Sequence, residues 1–513
     1  MKKFIVIILA LITFGCAEDY LDRSSLTALS ENSFWQNESD ALLGINGIYD
    51  ALQSRVLYSG NLSGQIGLPH HDSFGDNSFN RWKWEGGGRY VEANIDPSHS
   101  LFRNFWNSLY SGIGRANAAI ERIAEIPEEN ITEEKRSQLL GQAKFLRALF
   151  YYHIAVYFEQ APLILEVQTL EEAYVEKNSY EEISNQIVQD LEEAISVLPP
   201  AYPDNQYGYA TQGAAKGILA RFHIYNGNYQ EVVNLTGDLM GAGYSLESDY
   251  ATLFTQAGEF SDEILFSVRF FQDPATGNGE TFSATYQGIP KVDHQPMPNA
   301  VNSYYAKDGL PIEESPLFDP ENEGENRDPR AKISVFFEGD IFNLDLNRSF
   351  TGNTNTGYGY RKYTRMQASA DGTVNVFGPG SQDFIVLRYA DVLLMRAEAL
   401  TELGQLEEVP ELLNMVRERV GMPTVEEVEG TGLSQSELRE IVRHERRVEL
   451  MFEGLRFFDL KRWDKMEEAY MRISEDNVPA YNPNYRGIRS TSFPIPLSEL
   501  DANPNLTQNP GWD

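Results

Sequence analysis

Between residues 101 and 198 the chain carries three long tracts with helical periodicity, which leave little room for any fold that is not mainly helical. In the first, 101–126, Phe102, Phe105, Leu109, Ile113, Ala116 and Ile120 recur at steps of three and four, and Pro127 lies just beyond. The second runs over 132–157 with Thr132 as its N-cap, although Lys135 stands where a capping box prefers Glu. The third spans 179–198 and stops at Pro199-Pro200. Two further segments repeat one another. Ala220 precedes Gly227 by seven residues and Tyr229 follows it by two; Ala397, Gly404 and Leu406 keep the same spacing. A small residue lets two helices approach, glycine makes the turn, and the next apolar residue packs back. That is the grammar of a tetratricopeptide-like helix pair, with Val232 and Val409 where a smaller residue is usual. The expected fold class is therefore mostly α: stacked helix pairs forming a scaffold.

The start of the chain has a different purpose. Lys2 and Lys3 precede an apolar run over 4–14, too short to span a bilayer, and Gly15 is followed by Cys16, the chain's single cysteine. This reads as a lipoprotein signal over 1–15, with Cys16 becoming the lipidated first residue and acyl chains the membrane attachment. Glu18 and Asp19 follow at once, a placement expected for export to the cell exterior. Without a second cysteine no internal disulfide forms, so a hydrophobic core must hold the fold; 42% apolar residues over this length can build one. The formal charge of −34 repels phosphate backbones and argues against nucleic acid as a partner.

Residues 241–385 differ in texture, with many glycines and aromatics and short strand-like runs at 264–271 and 332–337. They read as a loop-rich subdomain inserted between a helical region (16–240) and a C-terminal region (386–513). The latter ends in a proline-rich tail over 493–512, expected to be non-helical and to wrap an outer surface.

Signatures of catalysis are missing: no His-Glu-x-x-His, no Gly-x-Ser-x-Gly, no phosphate-cradling Gly-Lys-Ser/Thr loop. Glu445, Glu449 and Glu453 share a face of one expected helix, 438–463, with Arg446, Arg456 and Arg462 in reach. Interleaved with Leu450, Phe452, Phe457 and Phe458, they read as a structural ion-pair ladder rather than as paired catalytic acids. His70 and His71 are adjacent, with side chains that diverge, so no metal or cofactor is assigned to them. Sugar binding asks for something else: an aromatic face for the pyranose C–H groups, with polar side chains around it. The best candidate is NSFNRWKWEGGGRY (77–90). Trp82 and Trp84 alternate and would face one way in an extended segment, Asn77, Asn80 and Arg81 supply polar partners, and Tyr90 closes the run. Gly86 to Gly88 are expected to keep the loop from becoming helical. Tyr305 and Tyr358, beside glycines of the inserted segment, are the second candidates, ahead of Tyr286 and Tyr360.

Several blocks resemble those of the SusD/RagB-like family and occur in its order: LYSGIGRANAAIE (109–121), GQAKFLRALFYYHIAVYF (141–158), SDEILFSVRF (261–270), RDPR (327–330), VLRYADVLLMRAEAL (386–400), HERRVELMFEGLRFFDLKRW (444–463) and the tail FPIP…NPNLTQNPGW (493–512). One departure is Glu159-Gln160-Ala161, where the family has a glycine-containing turn. The resemblance implies tetratricopeptide-like helix pairs, a lipid-anchored lid over a TonB-dependent outer-membrane transporter, and glycan held by exposed aromatics without catalysis. Other readings remain open: the same role with peptide cargo, a surface glycoside hydrolase, or a scaffold lipoprotein.

Overall fold

The computed structural model describes residues 34–60, 66–203, 206–273, 277–283, 293–344, 347–365 and 379–512. The signal segment, Cys16 and Tyr286 lie outside them. Eleven α-helices of seven or more residues can be followed among the described residues: α1 (Glu38–Leu52), α2 (Ser100–Glu125), α3 (Glu133–Phe158), α4 (Tyr180–Val197), α5 (Gln212–Tyr225), α6 (Tyr229–Met240), α7 (Tyr389–Glu402), α8 (Val409–Arg419), α9 (Gln435–Glu449), α10 (Arg456–Arg462) and α11 (Met466–Glu475). From α1 to α6 each packs on the next, and α6 then packs on α7 across the whole intervening segment. The stack is thus continuous, and 241–388 loops out of it.

Local chemistry explains these boundaries. Thr132 caps α3 by accepting from the Lys135 amide at 3.2 Å, and Ser179 with Glu182 forms a full capping box on α4. From Ala143 onward α3 is buried on every side, which is why its apolar residues do not keep to one stripe. The two repeats fold alike: Ala220, Ala397, Val232 and Val409 are fully buried, and Gly227 (φ 71°) and Gly404 (φ 73°) turn the chain. At the turn after α3, Glu159 adopts φ 65° and pairs with Lys461 at 2.7 Å.

The single helix expected over 438–463 is two helices. Phe452 (φ 66°) and Gly454 (φ 77°) break it. The cause is remote: Asp72 accepts from the Phe452 amide at 2.8 Å and the Arg456 amide at 3.2 Å, capping α10 from the far end of the sequence. Burial pushes the Asp72 carboxyl up to about 6, against the pull of those hydrogen bonds. A Cβ at position 454 would collide with the Leu68 carbonyl oxygen, on top of the cost of a left-handed backbone. Gly454→Ala is therefore expected to lose about 2–3 kcal/mol, read as a lower denaturant midpoint at unchanged slope. An unchanged midpoint would mean that this contact is not needed.

Strands among the described residues pair two at a time, all antiparallel: β1 (Ser78–Asn80) with β3 (His294–Pro296), β2 (Ile264–Val268) with β8 (Phe384–Arg388), β4 (Val335–Phe336) with β7 (Gly359–Tyr360), and β5 (Ile341–Asn343) with β6 (Arg348–Ser349). The β2–β8 pair brings the two ends of the looped-out segment together. The strand-like run at 332–337 begins as helix instead, because Asp328 caps and Pro329 opens a turn over Pro329–Ser334. Phe266, Phe282, Tyr304, Tyr360 and Tyr363 of this segment join the same hydrophobic cluster as the helices. The tail departs from expectation twice. It contains a short helix, Leu497–Ala502, and it enters the core: Phe493 and Ile495 are fully buried, and Asn509 donates to the Phe158 carbonyl at 2.7 Å. No helix of the described residues is long and apolar enough to cross a membrane.

Candidate functional site

The early loop is built on β1. Pairing Asn80 with His294 places Arg81 opposite Asp293, whose carbonyl accepts from the Arg81 amide at 2.8 Å. The Trp82 indole N–H donates to the Asp293 carboxylate, and the Arg81 guanidinium lies 4.9 Å from the Trp82 ring centroid. Lys83–Glu85 then form a 3₁₀ turn. The two tryptophans are consequently not on one face of an extended strand: Trp82 is half-buried and held, whereas Trp84 is 51% exposed.

Three other expectations for this loop are corrected. Gly86 to Gly88 do not prevent a helix, since Gly87–Val91 is one. They permit close packing, because Cβ atoms there would meet Leu101, Ser73 and Lys83 respectively. Asn80 is fully buried, donating to Glu85 at 2.8 Å and accepting from the Gly88 amide at 3.3 Å. Tyr90 is a core residue that packs on Phe493 and Trp512 and donates to the Ser492 carbonyl at 3.2 Å. Neither Asn80 nor Tyr90 reaches solvent to meet a ligand.

The inserted segment adds to the same surface through β3. Gln295, two residues after Asp293, accepts from the Thr356 amide at 3.2 Å, so the Trp82 loop and the 352–358 loop are fastened to one run about 7 Å apart. Tyr358 follows, donating to Glu323 at 2.8 Å and standing edge-on to Phe337 at 5.8 Å. These residues, with Lys332 and Asp340, line a cleft of about 390 Å³. Burial and the Glu323 carboxylate both hold the Tyr358 phenol well above its ordinary range, so it remains an O–H donor. Tyr305 is elsewhere: half-buried, its ring stacks on His444 of α9 at 4.0 Å, which occupies one face. The structure therefore brings Arg81, Trp82 and Tyr358 to one supporting strand, leaves Trp84 exposed on the same loop, and sets Tyr305 apart. Asp293, Gln295 and Glu323 escaped the sequence reading, since nothing local marks a partner 211 residues from Trp82.

The remaining titratable clusters are internal. His70 stacks on His294 at 4.2 Å, and His71 Nδ1 meets the Tyr157 hydroxyl at 2.5 Å. Among the described residues no three metal-ligating side chains converge. Glu445 and Glu449 of α9, and Glu453 just beyond it, are buried, and their partners differ from those expected. Arg330 bonds Glu445 at 2.6 Å and Glu449 at 2.9 Å; Arg388 bonds Glu263 at 2.8 Å, Glu449, and Glu453 at 2.7 Å. Arg417 reaches Glu445 at 2.8 Å, Arg419 reaches Glu449 at 2.6 Å, Lys362 reaches Glu453 at 2.8 Å, and Asp328 closes on Arg330 at 2.7 Å. Arg446, Arg456 and Arg462 serve other carboxylates: Asp391 and Asp459, Asp76, and Glu398. Burial alone would raise Glu449, but Arg419, Arg388 and Arg330 outweigh it and hold the carboxyl well below its usual range. A carboxylate so locked cannot act as a general acid.

Stacked helix pairs with an inserted loop-rich segment and a buried ion-pair cluster define a helical-repeat scaffold. A model described as the SusD family matches residues 262–512, and one described as starch-binding, associating with outer membrane, matches 19–224. The chain belongs to the SusD/RagB-like family. It is 26% identical over 99% of its length to SusD-like protein P25 of Formosa agariphila (98% of that protein) and 28% identical to P38 of the same organism (99% of each). A SusD-like protein from Bacteroides fragilis superposes with a TM-score of 0.79 at 25% identity, covering 95% of this chain and 100% of that one. A laminarin-binding SusD-like protein does so at 0.71 and 26%, covering 93% and 100%.

Proposed function

We propose that this chain is a non-catalytic surface lipoprotein that binds glycan and passes it to a TonB-dependent outer-membrane transporter. The observation that carries the glycan reading is the Arg81–Trp82–Trp84 loop, tied to the run that enters β3 through Asp293, with the Trp84 indole exposed. A rigid aromatic face flanked by hydrogen-bonding groups suits a pyranose ring, and its order costs nothing at the moment of binding. The starch-binding description of the matching family model and the laminarin-binding structural relative support the ligand class. The lipid anchor at Cys16, the outward orientation and the transporter rest on the sequence reading and on a family description that mentions the outer membrane.

The test uses soluble protein beginning at Ala17, run in affinity gels containing laminarin, starch, xylan or pectin. Trp84→Ala is the informative variant, because an exposed side chain can be removed without disturbing the fold. It is expected to weaken retention by the preferred polymer about tenfold, roughly 1.4 kcal/mol, at unchanged Tm. Trp82→Ala should lower both affinity and Tm, since it also removes the bond to Asp293. Full retention by Trp84→Ala and Trp82→Ala would remove the loop from the binding surface. Failure of every polysaccharide, with capture of a peptide mixture, would replace glycan by peptide as the cargo.

A further inference from the structure

A second aromatic surface lies on elements that the loop described above does not touch. Two clefts, of about 300 and 240 Å³, run end to end where the approach to α5 meets β2, and they share Tyr207, Tyr209 and Ser267. Phe260 is 63% exposed, and its ring lies 4.6 Å from that of Tyr207. The Arg269 guanidinium caps both, 4.8 Å from the Tyr207 centroid and 5.1 Å from that of Phe260. Exposure alone says little, but here the phenylalanine is one member of a grouped platform with Tyr207 and Arg269.

The platform is rigid. The Tyr207 hydroxyl donates to the Glu259 carbonyl at 2.5 Å, and the Tyr209 hydroxyl to Asn46 Oδ1 at 2.6 Å. Gln53 donates to the Arg269 carbonyl at 2.6 Å, and Asp383 holds Arg269 Nε at 2.6 Å. After these bonds, polar capacity is left over along the groove. The Arg269 side chain is 35% exposed, so the outer edge of its guanidinium faces the groove. Asn46 and Gln53 have each committed one end of the amide, leaving Asn46 Nδ2 and Gln53 Oε1 for a ligand. A purely apolar ligand would leave these donors and the acceptor unanswered, at a cost for each. A chain that alternates C–H faces with hydroxyls satisfies rings and polar groups together.

We infer that the groove over Tyr207, Phe260 and Arg269 is a second saccharide-binding site, which stacks a sugar ring on the Tyr207–Phe260 platform and bonds its hydroxyls through Arg269, Asn46 and Gln53. It deepens the glycan reading and rests on it. Two sites on one chain give a polymer two points of attachment, and the second raises retention without new chemistry at the first.

The test compares wild type, Trp84→Ala, Phe260→Ala, Arg269→Gln and the Trp84→Ala/Phe260→Ala double variant in gels containing laminarin, starch, xylan or pectin. Phe260→Ala is expected to weaken retention about three- to tenfold at unchanged Tm. The double variant should be weaker than Trp84→Ala alone. Wild-type mobility of Phe260→Ala and Arg269→Gln, with the double variant retained as well as Trp84→Ala alone, overturns this site and leaves the glycan reading standing. Retention lost in Phe260→Ala but kept in Trp84→Ala makes the groove the main site and removes the early loop. No retention of wild type by any polymer ends both.

Discussion

Glu449→Ala is expected to prevent accumulation of folded protein, or to cost at least about 5 kcal/mol where folding can be measured. Glu449 is fully buried and accepts from Arg330, Arg388 and Arg419, each of which also serves other carboxylates. The connected cluster contains five acids (Glu263, Asp328, Glu445, Glu449, Glu453) and five bases (Arg330, Lys362, Arg388, Arg417, Arg419), so its formal charges cancel. Removing one acid leaves an uncompensated cation in a space closed to water, which is far worse than losing a surface pair. Glu449→Gln keeps the volume and part of the hydrogen bonding, and should lie between. Glu440, exposed on the same helix and paired only with Arg443, is the control: Glu440→Ala should stay within about 0.5 kcal/mol. Denaturation midpoints for the three variants check this, and a Glu449→Ala protein as stable as wild type would mean that the cluster contributes nothing.

Acid should unfold the chain cooperatively between about pH 4.5 and 3. Two sets of groups act in the same direction there. Burial lowers His70, His71, His153, His294 and His444, the last three to about 3, whereas an unfolded histidine titrates near 6.5. The unfolded chain therefore binds more protons, and stability falls as pH falls from about 6.5 toward 3. For Asp76, Glu398, Glu445, Glu449 and Glu453 burial works upward, but neighbouring cations win and hold each below its unfolded value. Their contribution is lost below about pH 4.5. Each group removes up to about 1.4 kcal/mol per pH unit. Burial raises Asp72 and Asp383 to about 6 and Glu259 to about 7; these take up protons in the folded state first and offset much of the histidine effect above pH 4.5. The profile should be shallow from pH 7 to 5 and steep below 4.5. Circular dichroism against pH would reveal it, and a native spectrum at pH 3 would refute it.

The helices and the two repeats were legible because their signals are local. Phe102 to Ile120 announce one buried stripe, and Ala220-Gly227 and Ala397-Gly404 announce turns, whatever lies elsewhere. The break between α9 and α10 was not legible, for it depends on Asp72 and Leu68, hundreds of residues upstream. Trp82 was rightly placed on a loop, but the bond that orients it comes from Asp293, and its alternation with Trp84 assumed an extended backbone that Lys83–Glu85 does not adopt. Asn80 and Tyr90 have the composition of a binding loop and the environment of a core. The glutamates of α9 were rightly taken as ion-paired, yet their partners came from RDPR, β8 and α8, because like faces of one helix say nothing about what packs against them.

The tail and the early loop meet across nearly the whole chain. Arg472 binds Asp76 from 396 residues away, Tyr90 bonds Ser492 across 402, and Asn509 reaches Phe158 across 351. Loop-closure entropy must be overcome before such contacts return anything, and contacts of such long sequence separation slow folding in general. A chain synthesised from its N-terminus keeps Asp72, Asp76 and Tyr90 without these partners until residues 447–492 are available. The two regions that separate family descriptions cover thus share one hydrophobic core. A ribosome that stops twenty residues early releases a polypeptide with its apolar centre open to proteases, however well the helix pairs have formed.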